Sequence, residues 1–290
     1  MAFVVSLFAL MAFGCDHQRV EESETEEFQF NTGARTVVEV RIDDGSVEVV
    51  GGASGVVEVV FKNRARAADR AGARSLLENI RAEALQDGDV VRVKASSGTG
   101  GALTLGGAVW TDVTIRVPPE STELDIRTED GRVEIEGVSG TIVAETGDGR
   151  IRITDVEGTV KLRTADGSIT GENLNGDFDV VTGDGRIRLD GSFGRLRVVT
   201  ADGSIRVSGR DMTTLSNDWS IRTSDGSIEL TLPASLDAEL DATTSDGRVI
   251  NNLSRFEGTE HRSRVKGTLG TGGGLILLTT MDGRISLKES

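Results

Sequence analysis

A chain of 290 residues that is 37% hydrophobic is long and apolar enough to bury a core, which excludes a wholly disordered polypeptide. A formal net charge of -15 argues against nucleic acid as a partner, since phosphate neutralisation needs a basic face, and 4% aromatic residues leave little for stacking on bases or sugar rings. A single Cys rules out an internal disulfide framework.

Residues 1–14, MAFVVSLFALMAFG, are uncharged, mostly apolar, and run straight into Cys15. The run falls short of the roughly 20 residues of a spanning helix, so residues 1–15 read as an export signal. Its end, Ala12-Phe13-Gly14-Cys15, resembles the lipobox of bacterial lipoproteins. That resemblance implies acylation of Cys15 and a membrane anchor; a plain cleaved signal with an incidental Cys is the alternative. Asp16, directly after it, resembles the signal that keeps lipoproteins at the inner membrane of enteric bacteria. Residues 16–34 carry Glu21, Glu22, Glu24, Glu26 and Glu27 and read as a solvated, flexible acidic tether.

Residues 35–120 read as a capping section. TVVEVRIDDGSVEV (36–49) holds a degenerate turn unit with Ile42 and Gly45, and VVEVVF (56–61) is a further strand. The stretch NRARAADRAGARSLLENIRAEAL places Ala73, Leu76, Leu77, Ile80 and Ala84 at helical spacing. Strands VVRVKAS and VWTDVTIRV follow, and Pro118 and Pro119 close the section.

From residue 121 to 288 one phrase recurs, Thr-x-Asp-Gly. Its glycines are Gly131, Gly149, Gly167, Gly185 and Gly203 at four successive intervals of 18, then Gly226, Gly247 and Gly283 at intervals of 23, 21 and 36. Asp130, Asp148, Asp166, Asp184, Asp202, Asp225, Asp246 and Asp282 precede them, and Thr128, Thr146, Thr164, Thr182, Thr200, Thr223, Thr244 and Thr280 stand three residues before. Apolar residues alternate on both sides of each turn, as in Ile151 with Ile153 and Val160 with Leu162, which is the period of a strand with one buried face. Gly140, Gly158, Gly176 and Gly194 mark a second turn. Two short strands per 18 residues predict a single-stranded parallel β-solenoid in which each repeat is one coil and like residues stack. The turn Gly is expected to supply a positive φ, and a β-branched Thr to pack its methyl while its hydroxyl bonds to the neighbouring coil. The helix-containing section then covers the exposed strand edge at one end.

Candidate chemistry is sparse. The histidines are His17 and His261, and no nucleophile elbow, zinc-binding helix motif or phosphate loop occurs. Every Asp of the turn row is repeated, so none is singled out as catalytic, and the chain reads as no enzyme, with no cofactor and no metal. Arg132, Arg150, Arg186, Arg248 and Arg284, two residues after the Asp, are expected to interleave with the carboxylate row and relieve its repulsion. A C-terminal insertion at 251–274 contains His261, Arg262, Arg264 and Lys266, a basic cluster that is a candidate binding loop, with a solvated covering loop as the other reading.

The early G-S-V-E-V strand, D-V-T-I-R-V-P-P before the repeats, the T-x-D-G-x-I units and the closing G-G-G-L-I-L-L-T-T-M-D-G-R-I-S-L resemble the DUF4097 family of bacterial adhesin-like proteins. The resemblance implies a β-helical or solenoid fold, export or membrane attachment, and no established enzymatic activity. With that resemblance the chain reads as an anchored, adhesin-like binding or scaffold surface for a protein or glycan partner, with a periplasm-facing envelope scaffold or stress-regulatory component as the alternative and a polysaccharide-active β-helix enzyme behind it.

Overall fold

The computed structural model describes residues 19–33, 35–97, 107–120, 122–210, 215 and 217–290. Cys15 and the export signal lie outside the described residues. Among those described, the chain is all-β apart from one helix, and it falls into two compact units, residues 1–141 and 142–290.

The first unit is built from β1 (Val20–Asn31), β2 (Thr36–Asp44), β3 (Val47–Gly51), β4 (Val56–Ala67), α1 (Arg70–Leu77), β5 (Ile80–Asp87), β6 (Val90–Ser97), β7 (Ala108–Val117), β8 (Thr122–Asp130) and the start of β9 (Val133–Thr146). β2 lies between β6 and β8, parallel to both, and β3 lies between β7 and β9 in the same way. The layer of β2 and β3, early in the chain, is therefore an inner one. Its alternation buries Val38, Val40, Val47 and Val49, against Val91, Val93, Val113 and Ile115 on one side and Leu124 and Ile126 on the other.

Residues 20–31, expected to be a flexible tether, instead form β1, which pairs antiparallel with β4 over its whole length. Charge complementarity explains the difference. Glu21 meets Arg66 at 2.9 Å and Glu22 meets Arg70 at 2.6 Å, so the acid-rich segment pairs with the basic one. At its far end Phe28 packs edge-on against Phe61, at 5.8 Å between ring centroids. The helix is also shorter than its periodicity predicts. Asp69 caps it by accepting from the Gly72 amide at 2.7 Å, and Ala73 and Leu76 bury against Ala65 and Ala67. Ile80 and Ala84 belong instead to β5, whose pairing with β6 overrides the helical pattern.

The second unit comprises β10 (Ile151–Thr164), β11 (Ile169–Thr182), β12 (Ile187–Thr200), β13 (Ile205–Gly209), β14 (Trp219–Thr223), β15 (Ile228–Leu232), β16 (Ala238–Thr244), β17 (Arg248–Asn251), β18 (Phe256–His261), β19 (Arg264–Leu269), β20 (Leu275–Thr280) and β21 (Arg284–Glu289). β10 and β11 pair parallel with every partner 18 residues apart, from Ile151 with Ile169 to Thr164 with Thr182. The expected pair of short strands is a single 14-residue strand in β10, β11 and β12. The second Gly bends the strand rather than ending it, and at Gly176 the φ is +125°. A side chain there would also strike the Gly158 carbonyl oxygen, 2.1 Å from the Cβ position.

Stacking order departs from chain order at the far end. β14 and β15 pair parallel with β20 and β21, which in turn pair with β16 and β17. The later strands are thus threaded between two earlier layers. The parallel-only expectation is corrected: the sheet is mixed, because β1–β4, β4–β7, β5–β6, β16–β19 and β18–β19 are antiparallel. The insertion at 251–274 supplies β18 and β19, an antiparallel hairpin laid on β16.

Inward positions form the core of this unit. Ile187, Leu189, Leu196, Val198, Ile228, Leu230, Ile276 and Leu278 are each at most 1% exposed. Phe178, Phe193 and Trp219 stack edge-to-face across layers, with centroids 5.5 and 5.8 Å apart. The indole Nε1 of buried Trp219 donates to the Gly194 carbonyl at 3.3 Å.

Candidate functional site

The turn row of the second unit is held by threonine hydroxyls. Thr164 Oγ1 donates to the Gly147 and Gly149 carbonyls at 2.9 and 3.0 Å and accepts from the Gly167 amide at 3.1 Å. Thr182, Thr200 and Thr223 repeat the contact one layer further each time. Thr280 then bonds the layer of Ser224 and Gly226, and Thr244 bonds the layer of Met281 and Gly283. The row therefore records the threaded stacking order.

The Gly of the turn is needed for close approach and not for the positive φ expected of it. A Cβ on Gly167 would sit 1.6 Å from the Gly149 carbonyl oxygen, so no side chain fits between layers. The Asp residues of the row, Asp148, Asp166, Asp184, Asp202, Asp225, Asp246 and Asp282, project into solvent. The expected interleaving with Arg is not how this row is held. Arg150 and Arg186 donate from Nε to Ser168 and Ser204 of the next layer, at 3.2 and 3.3 Å. In the first unit, Asp44 pairs in register with Asp130. Burial, then the neighbouring charges of Asp130 and Asp43, push the Asp44 carboxyl above the usual range.

The basic cluster of the insertion does not converge. His261 ends β18 in solvent and Arg262 lies in the following turn. Arg264 forks onto Asp241 at 3.1 and 2.7 Å, and Lys266 approaches the same carboxylate at 3.9 Å. The Arg264 hydrogen bond is the main reason Asp241 is held below the usual carboxylate range. Two of the four residues thus tie the hairpin to β16.

A different cluster emerges on the strands that follow the turns. Arg186, Arg188, Ser204, Arg206, Ser227 and Glu229 line an open groove of about 280 Å³. Arg188 and Arg206 are register partners on β12 and β13. Arg206 pairs with Glu229 at 3.2 Å and Lys288 pairs with the same carboxylate at 2.9 Å. Hydrogen bonding from Lys288, then Arg206, draws the Glu229 carboxyl below its usual range. Sequence reading missed Arg188 and Arg206 as a site, although adding 18 to one gives the other.

A family model described as Toastrack DUF4097 matches residues 57–288, and no curated protein matches the chain. The chain belongs to the Toastrack DUF4097 family. Among solved structures, this Toastrack chain is similar to a candidate cell adhesion protein from Clostridium sporogenes at 11% identity and a TM-score of 0.28, covering 94% of this chain and 100% of that one. Among the described residues, no helix of the Toastrack chain is long and apolar enough to cross a membrane.

Proposed function

We propose that this protein is an exported, lipid-anchored envelope component that acts by surface recognition, as an adhesin-like binding or scaffold module without enzymatic activity. One observation carries the reading. Parallel register sets the same outward position in line from layer to layer, so Arg150, Ser168, Arg186, Ser204 and Ser227 form one solvent-facing row. Such a ladder suits an extended partner, protein or glycan, more than a small substrate that needs an enclosing cleft. The 18-residue layers of the second unit make a stretch of β-solenoid, finished by an antiparallel hairpin. Cys15 supplies the anchor, and Asp16 behind it favours a second reading, a scaffold facing the periplasm.

Protease shaving of intact cells, combined with membrane fractionation of the natural chain and of Cys15→Ser, tests location and anchor together. Loss of the chain from intact cells, with a soluble Cys15→Ser form, is the expected result. Protection until the envelope is broken would replace the adhesin-like reading with the periplasmic scaffold. A Cys15→Ser chain still bound to membrane would remove Cys15 as the anchor.

A further inference from the structure

The groove on β12, β13 and β15 has an unbalanced charge. Arg188 and Arg206 face outward in register on adjacent layers, about 4.8 Å apart by ordinary strand spacing. Like charges set opposite each other across strands cost stability. The carboxylate lining the groove is Glu229, already shared by Arg206 and Lys288. Three arginines, Arg186, Arg188 and Arg206, line the groove with the single carboxylate Glu229, an excess of two positive charges. This excess sits on a chain of formal net charge -15, so general surface composition does not account for it.

The pattern extends along the stack. Arg150 and Arg152 lie two layers before Arg186 and Arg188, about 9.6 Å away by the same spacing, with Ser168 and Thr170 on the layer between. Guanidinium groups present several N–H donors suited to carboxylates, and hydroxyls both donate and accept. Cations about 4.8 to 9.6 Å apart, set among Ser and Thr hydroxyls, match a chain that carries its charges ring by ring together with its own hydroxyls. Double-stranded nucleic acid, with a charge about every 1.7 Å, is far denser.

We propose that this groove binds a linear acidic polysaccharide, its carboxylates on Arg188 and Arg206 and its ring hydroxyls on Ser204 and Ser227. The proposal rests on the surface-recognition reading and names its ligand class. The test is calorimetric titration of the full-length Cys15→Ser protein with polygalacturonate oligomers, beside a neutral glucan of equal length and inorganic polyphosphate. The expected result is binding of the polyuronate in preference to both. Arg188→Gln with Arg206→Gln should weaken it about tenfold or more, the size of losing a charge-assisted hydrogen bond. Glu229→Gln, which frees Arg206 and Lys288, should tighten it, while Arg222→Gln on β14 should leave it unchanged. Circular dichroism of each variant confirms the fold.

No binding of the polyuronate, an unchanged affinity in the double variant, or an equal loss from Arg222→Gln would overturn the site. Equal or tighter binding of polyphosphate would overturn the glycan assignment. Any of these outcomes, beside a chain that is still shaved from intact cells, removes this ligand and leaves recognition by another face standing.

Discussion

Thr164 offers a clean separation of what the threonine row contributes. Its hydroxyl touches two carbonyls of one layer and the buried amide of Gly167, and the residue itself is 6% exposed. Thr164→Val keeps the shape and deletes the hydroxyl, leaving the Gly167 amide without its acceptor inside the stack. A buried polar group left unpaired costs about 1–3 kcal/mol. Thr164→Ser makes the opposite cut, removing one methyl worth about 0.8 kcal/mol and keeping the bonds. A domain near the size of the second unit loses about 2–4 °C of melting temperature per kcal/mol, so at about 2 kcal/mol Thr164→Val falls about 4–8 °C and Thr164→Ser about 2–3 °C. Thermal unfolding followed by circular dichroism measures both. If the Val variant equals or exceeds the natural protein while the Ser variant falls, methyl packing holds the row and the hydroxyl argument fails.

Three further outcomes follow from the packing and the charges. Trp219→Ala removes the largest fully buried side chain from beside Phe193 and should cost about 3–5 kcal/mol in urea unfolding; a loss under about 1 kcal/mol would mean that the ring is not packed as described. Gly185→Ala sets a methyl 1.8 Å from the Gly167 carbonyl oxygen, and the overpacking should destabilise by about 1–3 kcal/mol, against no change if the layers can part. Asp44 has a folded pKa raised above its unfolded one, so the ionised carboxylate opposes folding: the folded state gains relative stability below the unfolded pKa and loses it as pH rises through the folded value. Asp44→Asn should therefore raise the melting temperature near neutral pH, with the gain vanishing at about pH 3, and a gain that persists in acid would contradict the charge argument.

Much of the second unit was legible because its side-chain period and its turn spacing agree. The interval of 18 between turn glycines became the register of β10 on β11, and the alternating apolar positions became the core. The threonine hydroxyls bonded between layers as their β-branched position suggested. What stayed hidden depends on partners far away in the chain. Nothing local to Ile276 says that it will pair with Trp219 as well as with Leu240 of the preceding layer. The acidic composition of residues 20–31 masked a strand, because Phe28 and Phe30 and the arginines opposite outweigh the solvation of its glutamates. The turn Gly was identified correctly but for a different reason, since its requirement lies in the carbonyl of another layer. The arginine groove was unread because outward positions differ from repeat to repeat, and only the stacking brings Arg188 beside Arg206.

The threaded layer separates the order in which the second unit is synthesised from the order in which it is stacked. Until β20 and β21 exist, β16 and β17 have no parallel neighbour joining them to β14 and β15, so the fold cannot complete as a zipper running from one end to the other. The closing strands act as a keystone: cleaving them away would open a gap inside the stack, whereas loss of an end layer would only shorten it. A chain crossing a membrane in extended form would stay incomplete, and vulnerable to proteolysis, until that last segment had emerged and been inserted.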